Sequence, residues 1–205
     1  MNFVIAIDGP AAAGKGTIAV KLAKKFNFGY LDTGLLYRAV ASKSLNEGVK
    51  PEEAALTLTQ SDLSRENLRD PNISKEASRV AVISEVRSCL KSFQMDFSKK
   101  SGGVILDGRD IGTVICPNAD IKLFICATVE VRALRRYKEL VARGVKTDLQ
   151  KVFEDIIRRD EMDSKRDHSP LRKASDAILV DTSSLSIKQA IMRVEKLVEQ
   201  ALKKK

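Results

Sequence analysis

Apolar positions along the chain follow two rhythms. Five short, mostly apolar runs, at 3–8, 30–32, 104–107, 121–127 and 177–181, predict strands of the buried, parallel kind. Between them the period lengthens to that of a helix. Ile18, Leu22 and Phe26 recur every four residues. Val129, Ala133, Leu134, Tyr137, Leu140 and Val141 form an apolar stripe, with Arg132, Arg135, Arg136, Glu139 and Arg143 on the opposite face. Ile187, Ile191, Val194, Val198 and Leu202 make a last helix that docks on the sheet. Ser186 opens it as N-cap with Gln189 three residues on, a capping box. Strands alternating with helices predict an α/β fold: a five-stranded parallel sheet flanked by helices.

The first strand runs into Gly9-Pro10-Ala11-Ala12-Ala13-Gly14-Lys15-Gly16-Thr17, where a helix opens. Strand, glycine loop and helix are the setting that a G-x-x-x-x-G-K phosphate loop requires. Its glycines let backbone N–H groups turn inward around an anion, and the helix N-terminus adds partial positive charge. Lys15 supplies a full charge toward the outer phosphates. Gly16 stands where many such loops carry a hydroxyl, which moves to Thr17.

Four predicted strands end in aspartate, at Asp8, Asp32, Asp107 and Asp181. Ligands of open parallel sheets bind at the carboxyl ends of strands. Asp107 is the best placed to organise a Mg²⁺ shell through water. Asp181 reads as a turn residue, and Asp8 as a brace for the loop.

Composition narrows the classes. The 205 residues suit one domain. No apolar run reaches the length of a membrane span. With a strand expected from residue 3, no room for a signal peptide is expected. Cys89, Cys116 and Cys126 are too scattered for a zinc site and fit a reducing cytoplasm. His168, the single histidine, lies in a charged loop and reads as solvated. The net charge of +9 includes a lysine tail at 203–205. Aromatics are only 5 %. Nucleic-acid binders interleave aromatics with their basic residues, so the charge points to small phosphorylated anions instead.

Three further segments carry a resemblance: Leu31-Asp32-Thr33-Gly34-Leu35-Leu36-Tyr37-Arg38, Asp107-Gly108-Arg109-Asp110-Ile111-Gly112-Thr113, and Arg158-Arg159-Asp160-Glu161 running to Arg166 and Ser169-Pro170-Leu171. The loop's Gly-Lys-Gly-Thr resembles that of nucleoside-monophosphate kinases, and together with Gly9-Pro10 the three segments resemble the bacterial cytidylate kinases over nearly the whole chain. The resemblance implies transfer of the terminal phosphate of ATP to CMP or dCMP with Mg²⁺, in a single P-loop kinase domain. That domain would have an acceptor-binding region at about 33–100 and a helical lid at about 130–170. It implies a cytoplasmic monomer whose partners are small molecules, not nucleic acid or membrane. Residues 9–17 would hold ATP, and Arg38 and Arg109 the acceptor phosphate, beside Thr33 and Tyr37. Ser78, Arg87 and Asp110 would face cytosine, and Arg159 and Asp163 the sugar. Arg166, with Arg132 and Arg136 of the lid, would approach the transferring phosphoryl group. Asp110 has a second reading, as a carboxylate that only pins Arg109.

Two features depart from the family. Ala11-Ala12 stands where Ser-Gly is common. The segment 62–74 is too short for the three-stranded insert of larger members, so a mostly helical acceptor region is expected. Ser78 and Arg87 add a geometric condition: nine residues of straight helix turn through about 900°, which sets them on opposite faces. Both reach one base only if the helix breaks, expected near 82–84 with Ser84 as N-cap. A GTPase switch is excluded, since no Asn-Lys-x-Asp occurs.

Overall fold

A computed structural model describes residues 2–204; Lys205 of the lysine tail lies outside them. Its strands are β1 (Val4–Asp8), β2 (Gly29–Asp32), β3 (Val104–Gly108), β4 (Ile121–Cys126) and β5 (Ile178–Asp181). They form one parallel sheet in the order β2-β3-β1-β4-β5, within a residue or two of each expected run. β1 is central, with β3 on one side and β4 on the other. Its carboxyl end is where the chain direction across the sheet reverses, the usual place for a ligand crevice.

Side chains on β1 alternate between two cores. Ile5 and Ile7 meet Ile18 and Leu22 of α1 (Lys15–Phe26) and Val194 and Val198 of a C-terminal helix, Ile187–Leu202. Ala6 faces the other way, toward Leu106, Ile111 and Ile115. The C-terminal helix opens with the expected box: Ser186 Oγ accepts from Gln189 N at 3.3 Å, and Gln189 Oε1 accepts from Ser186 N at 2.9 Å. Ile187 does not dock on the sheet. It lies in the first turn, half exposed, beside the main cleft.

Residues 33–98 are helical, with no strand among them: α2 (Thr33–Glu47), α3 (Pro51–Leu56), α4 (Gln60–Leu63), a 3₁₀ turn at Glu66–Arg69, α5 (Pro71–Val80) and α6 (Ser84–Ser98). Asp32 starts α2, its Oδ1 accepting from Leu35 N at 3.2 Å. Leu36, Val40, Ala77, Val80, Val86 and Leu90 give these helices an apolar core of their own. The expected break lies between α5 and α6. Its cap differs from expectation, because Ile83 holds the N-cap position and the Ser84 hydroxyl turns to Glu85 instead.

α7 (Val129–Ala142) and α8 (Leu149–Lys165) pack on each other. α9 is the C-terminal helix already described. The stripe on α7 is narrower than its sequence pattern. Ala133 and Leu140 are buried, but Leu134 and Val141 are largely exposed, because α8 covers only one side. Arg132, on the face opposite that stripe, is 4 % exposed.

Candidate active site

The loop after β1 bends sharply at Gly9, whose φ is +147°. A Cβ there would lie 1.9 Å from the Ile125 carbonyl oxygen, so only glycine lets β1 and β4 pass this closely. Gly14 begins α1 at φ +94°, with no side-chain cap and no acid in the first turn. That leaves the N–H groups and positive end of the helix open to a cleft of about 770 Å³. Lys15 is buried, and its Nζ donates to the Pro10 carbonyl at 2.9 Å. Burial and the nearby Arg109 push its pKa down to about 7, against the pull of Asp107.

Asp107, at the end of β3, faces the loop from below. Tyr30 donates to its Oδ2 at 2.7 Å, and a Cβ built on Gly16 would touch the same oxygen at 3.4 Å. Burial and then Asp32 raise the Asp107 carboxyl above its ordinary range. Among the described residues no three His, Cys, Asp or Glu side chains gather into a metal cage. Two carboxylates beside a phosphate loop suit Mg²⁺, which keeps several waters and takes further ligands from phosphates. Asp8 has another task than bracing the phosphate loop. Its two oxygens accept from Ile111 N and Gly112 N at 2.8 and 2.7 Å, which shapes the π-helical turn Ile111–Ile115 after β3. Asp181 is the turn residue expected, accepting from Ser183. His168 is exposed.

Nine of the expected substrate residues line one second, smaller cavity of about 40 Å³: Thr33, Tyr37, Ser78, Arg87, Arg109, Asp110, Arg159, Asp163 and Arg166. They come from α2, α5, α6, the end of β3 and α8, so the helix break does bring positions 78 and 87 together. Arg38 lines the main cleft instead, with Arg136. Arg109 and Arg159 line both spaces and stand between them.

The carboxylates of this cavity each hold an arginine, in a different pairing from that expected. Asp110 pins Arg87 at 2.5 Å, and Asp163 pins Arg109, whose Nε donates to it at 2.7 Å. The reason is reach: Asp110 projects toward α6, while α8 brings Asp163 to Arg109. Arg87 also donates to the Ala81 carbonyl at 3.2 Å and lies over the Tyr37 ring. Arg166 donates to the Ser169 carbonyl at 2.7 Å and lies 3.7 Å from Asp110. The Thr33 hydroxyl is committed to the Asp107 carbonyl at 2.8 Å, and that of Ser78 to the Ser74 carbonyl at 3.2 Å.

Positive charge exceeds its protein partners here. Buried Nε atoms of Arg38, Arg87 and Arg159, and a terminal nitrogen of Arg166, have no hydrogen-bond partner. Burial, then Arg109, lowers the Arg159 pKa to about 10. Burial alone would raise the Asp163 carboxyl, but Arg109 and Arg159 hold it below its ordinary value. Buried donors without partners cost free energy, and an anion in the cleft would satisfy them.

Sequence reasoning missed Asp160, which pairs with Arg132, and Tyr30, which pins Asp107. It also missed a contact across the molecule. Arg143, after α7, donates to the Arg69 carbonyl at 2.7 Å and to Asp70 at 3.2 Å. Partners so far apart along the chain leave no local pattern.

Comparison with known proteins gives one result. The family model described as "Cytidylate kinase" matches residues 5–60 and 52–200. The cytidylate kinase of Cereibacter sphaeroides is 49 % identical over 199 residues, covering 97 % of this chain and 96 % of that one. That of Rhizobium meliloti is 48 % identical over 211 residues, covering 100 % of both. Among solved structures, the shikimate kinase of Bacteroides thetaiotaomicron shares the fold with a TM-score of 0.57 at 13 % identity, over 96 % of this chain and 98 % of that one. Family model and full-length relatives agree, and the chain belongs to the cytidylate kinase family.

Proposed function

We propose that the protein transfers the terminal phosphoryl group of ATP to CMP or dCMP, giving ADP and CDP or dCDP. One observation carries the reading. A phosphate loop and a small polar pocket open on either side of Arg109 and Arg159, with unpartnered guanidinium nitrogens around them. Two anions meeting there would bring donor and acceptor phosphates face to face.

Phosphoryl transfer asks little covalent help of the protein; positioning and charge neutralisation dominate. Residues 9–17 hold the ATP phosphates through backbone N–H groups. Lys15 leaves the Pro10 carbonyl for the outer phosphates. Arg38 and Arg109 hold the acceptor phosphate, Arg109 kept in place by Asp163. Asp110 and Arg87 read the base, with Ser78, Thr33 and Tyr37 around them. Arg159 and Asp163 reach the sugar. Arg136 and Arg166 neutralise charge that develops on the transferring group. Asp107 would hold Mg²⁺ through water, with Asp32 beside it. Bound Mg²⁺ would supply charge neutralisation between phosphates.

Closure of α7 and α8 over the cleft keeps out water, which would otherwise hydrolyse ATP. The enzyme works as a cytoplasmic monomer. Among the described residues, no helix is long and apolar enough to cross a membrane.

A coupled assay of ADP release tests this with ATP and a panel of acceptors. CMP and dCMP should stimulate turnover far above UMP, AMP, shikimate or RNA. Equal stimulation by all, or by none, would overturn the reading.

A further inference from the structure

Arg132 is the most heavily committed arginine of α7. Its Nε donates to the Ala127 carbonyl at 2.9 Å, and one terminal nitrogen donates to the Ala11 carbonyl at 3.3 Å. Both terminal nitrogens meet the Asp160 carboxylate, at 3.0 and 2.6 Å. One guanidinium therefore ties the end of β4, the phosphate loop and α8 together.

The loop residue that follows Ala11 is strained. Ala12 sits at φ +59°, a left-handed backbone that disfavours any residue with a Cβ. Such conformations persist where surrounding structure over-determines them. A trans peptide points its N–H opposite to its C=O. The hydrogen bond that holds the Ala11 carbonyl thereby fixes the direction of the Ala12 N–H, and Ala12 lines the cleft.

We infer that Arg132, oriented by Asp160, is a positioning residue for the Ala11–Ala12 peptide of the phosphate loop. It keeps a strained alanine in the anion-binding conformation and links ATP affinity to the packing of α8. The fork is essential to this part: a bidentate pair fixes the guanidinium plane, which a lysine cannot do. The inference rests on the loop's reading as the ATP site.

The experiment measures ATP dissociation constants by titration with a fluorescent ADP displaced by ATP, CMP dissociation constants separately, and melting temperatures alongside. Asp160→Asn should weaken ATP about tenfold, or about 1.4 kcal/mol, and leave CMP affinity unchanged. Arg132→Lys should do the same. The double variant should be no weaker than the worse single one, because both act through one contact. Ala12→Gly placed on Asp160→Asn should restore most of the ATP affinity, since glycine takes the left-handed conformation unaided. A residue that only stabilises the fold would move the melting temperature without this ATP-specific loss and rescue.

Unchanged ATP affinity in Asp160→Asn would overturn the inference. So would an Arg132→Lys enzyme with normal ATP affinity and reduced turnover, since Arg132 would then act on the transferring group itself. Should Arg132→Lys fail to fold, Asp160→Asn with and without Ala12→Gly decides alone. Failure of the unaltered protein to bind ATP would remove the site reading and this inference with it.

Discussion

Replacing Asp110 by asparagine tests how the small cavity chooses its base. Cytosine offers an amino donor at position 4 and acceptors at N3 and O2; uracil offers a carbonyl and an N–H at the first two. Asp110 is 5 % exposed and pinned to Arg87, so the two side chains present an acceptor and donors side by side. Uracil would set a carbonyl against the carboxylate and an N–H against the guanidinium. Each buried mismatch costs about 1–3 kcal/mol. An asparagine amide can turn its NH₂ toward the uracil carbonyl, which relieves one mismatch. The CMP-to-UMP ratio of kcat/KM should then fall by a factor of about 5 to 160. CMP should lose and UMP should hold or gain. The change also strips the charge partner of Arg87 and the near neighbour of Arg166, so stability should drop by a few kcal/mol, roughly 3–5 at most. The assay is the coupled ADP-release reaction below the melting temperature of the variant. A proportional fall in CMP and UMP activity, with the ratio intact, would refute direct base reading. Asp110 would then serve only to hold Arg87.

Further outcomes follow from the same geometry. Lys15→Ala should cut turnover by at least about a hundredfold while the fold stays intact by circular dichroism, on the scale of losing one preorganised charge donor. Arg136→Ala should lower kcat on the order of a hundredfold and leave CMP affinity nearly unchanged, because its contact strengthens toward the transition state; steady-state kinetics and CMP titration separate the two. ATP binding should take up most of one proton at pH 8. Lys15 is largely neutral there in the free protein, with its pKa near 7, and phosphates draw it back to the charged form. Calorimetry in buffers of different ionisation enthalpy reads that proton. The same depressed pKa makes folding stability rise with pH between about 7 and 10.5, where the unfolded chain holds the proton and the folded one does not.

Most of the sheet was legible because parallel strands are buried on both faces and read as apolar runs. The phosphate loop and the break between α5 and α6 were legible too, the first from glycine spacing and the second from the turn per residue of a helix. What stayed hidden depends on pairing in space. Periodicity sets Arg132 on the polar face of α7, yet α8 brings Asp160 onto that face, and Arg132 is buried against it. Asp110 and Arg109 are neighbours in sequence, yet each carboxylate takes the arginine that the packing of α6 and α8 presents. The departure at Ala12 was visible as a residue, but its left-handed backbone was not.

The central claim is that the two cavities flanking Arg109 and Arg159 exchange a phosphoryl group directly. The most direct measurement follows the γ-phosphate of labelled ATP in the presence of CMP, with products separated by chromatography. The account predicts that the label appears in the β-position of CDP, one for each ADP formed, with almost none in inorganic phosphate. Label accumulating in inorganic phosphate at the same rate with and without CMP, or no CMP-dependent release of ADP, would contradict it.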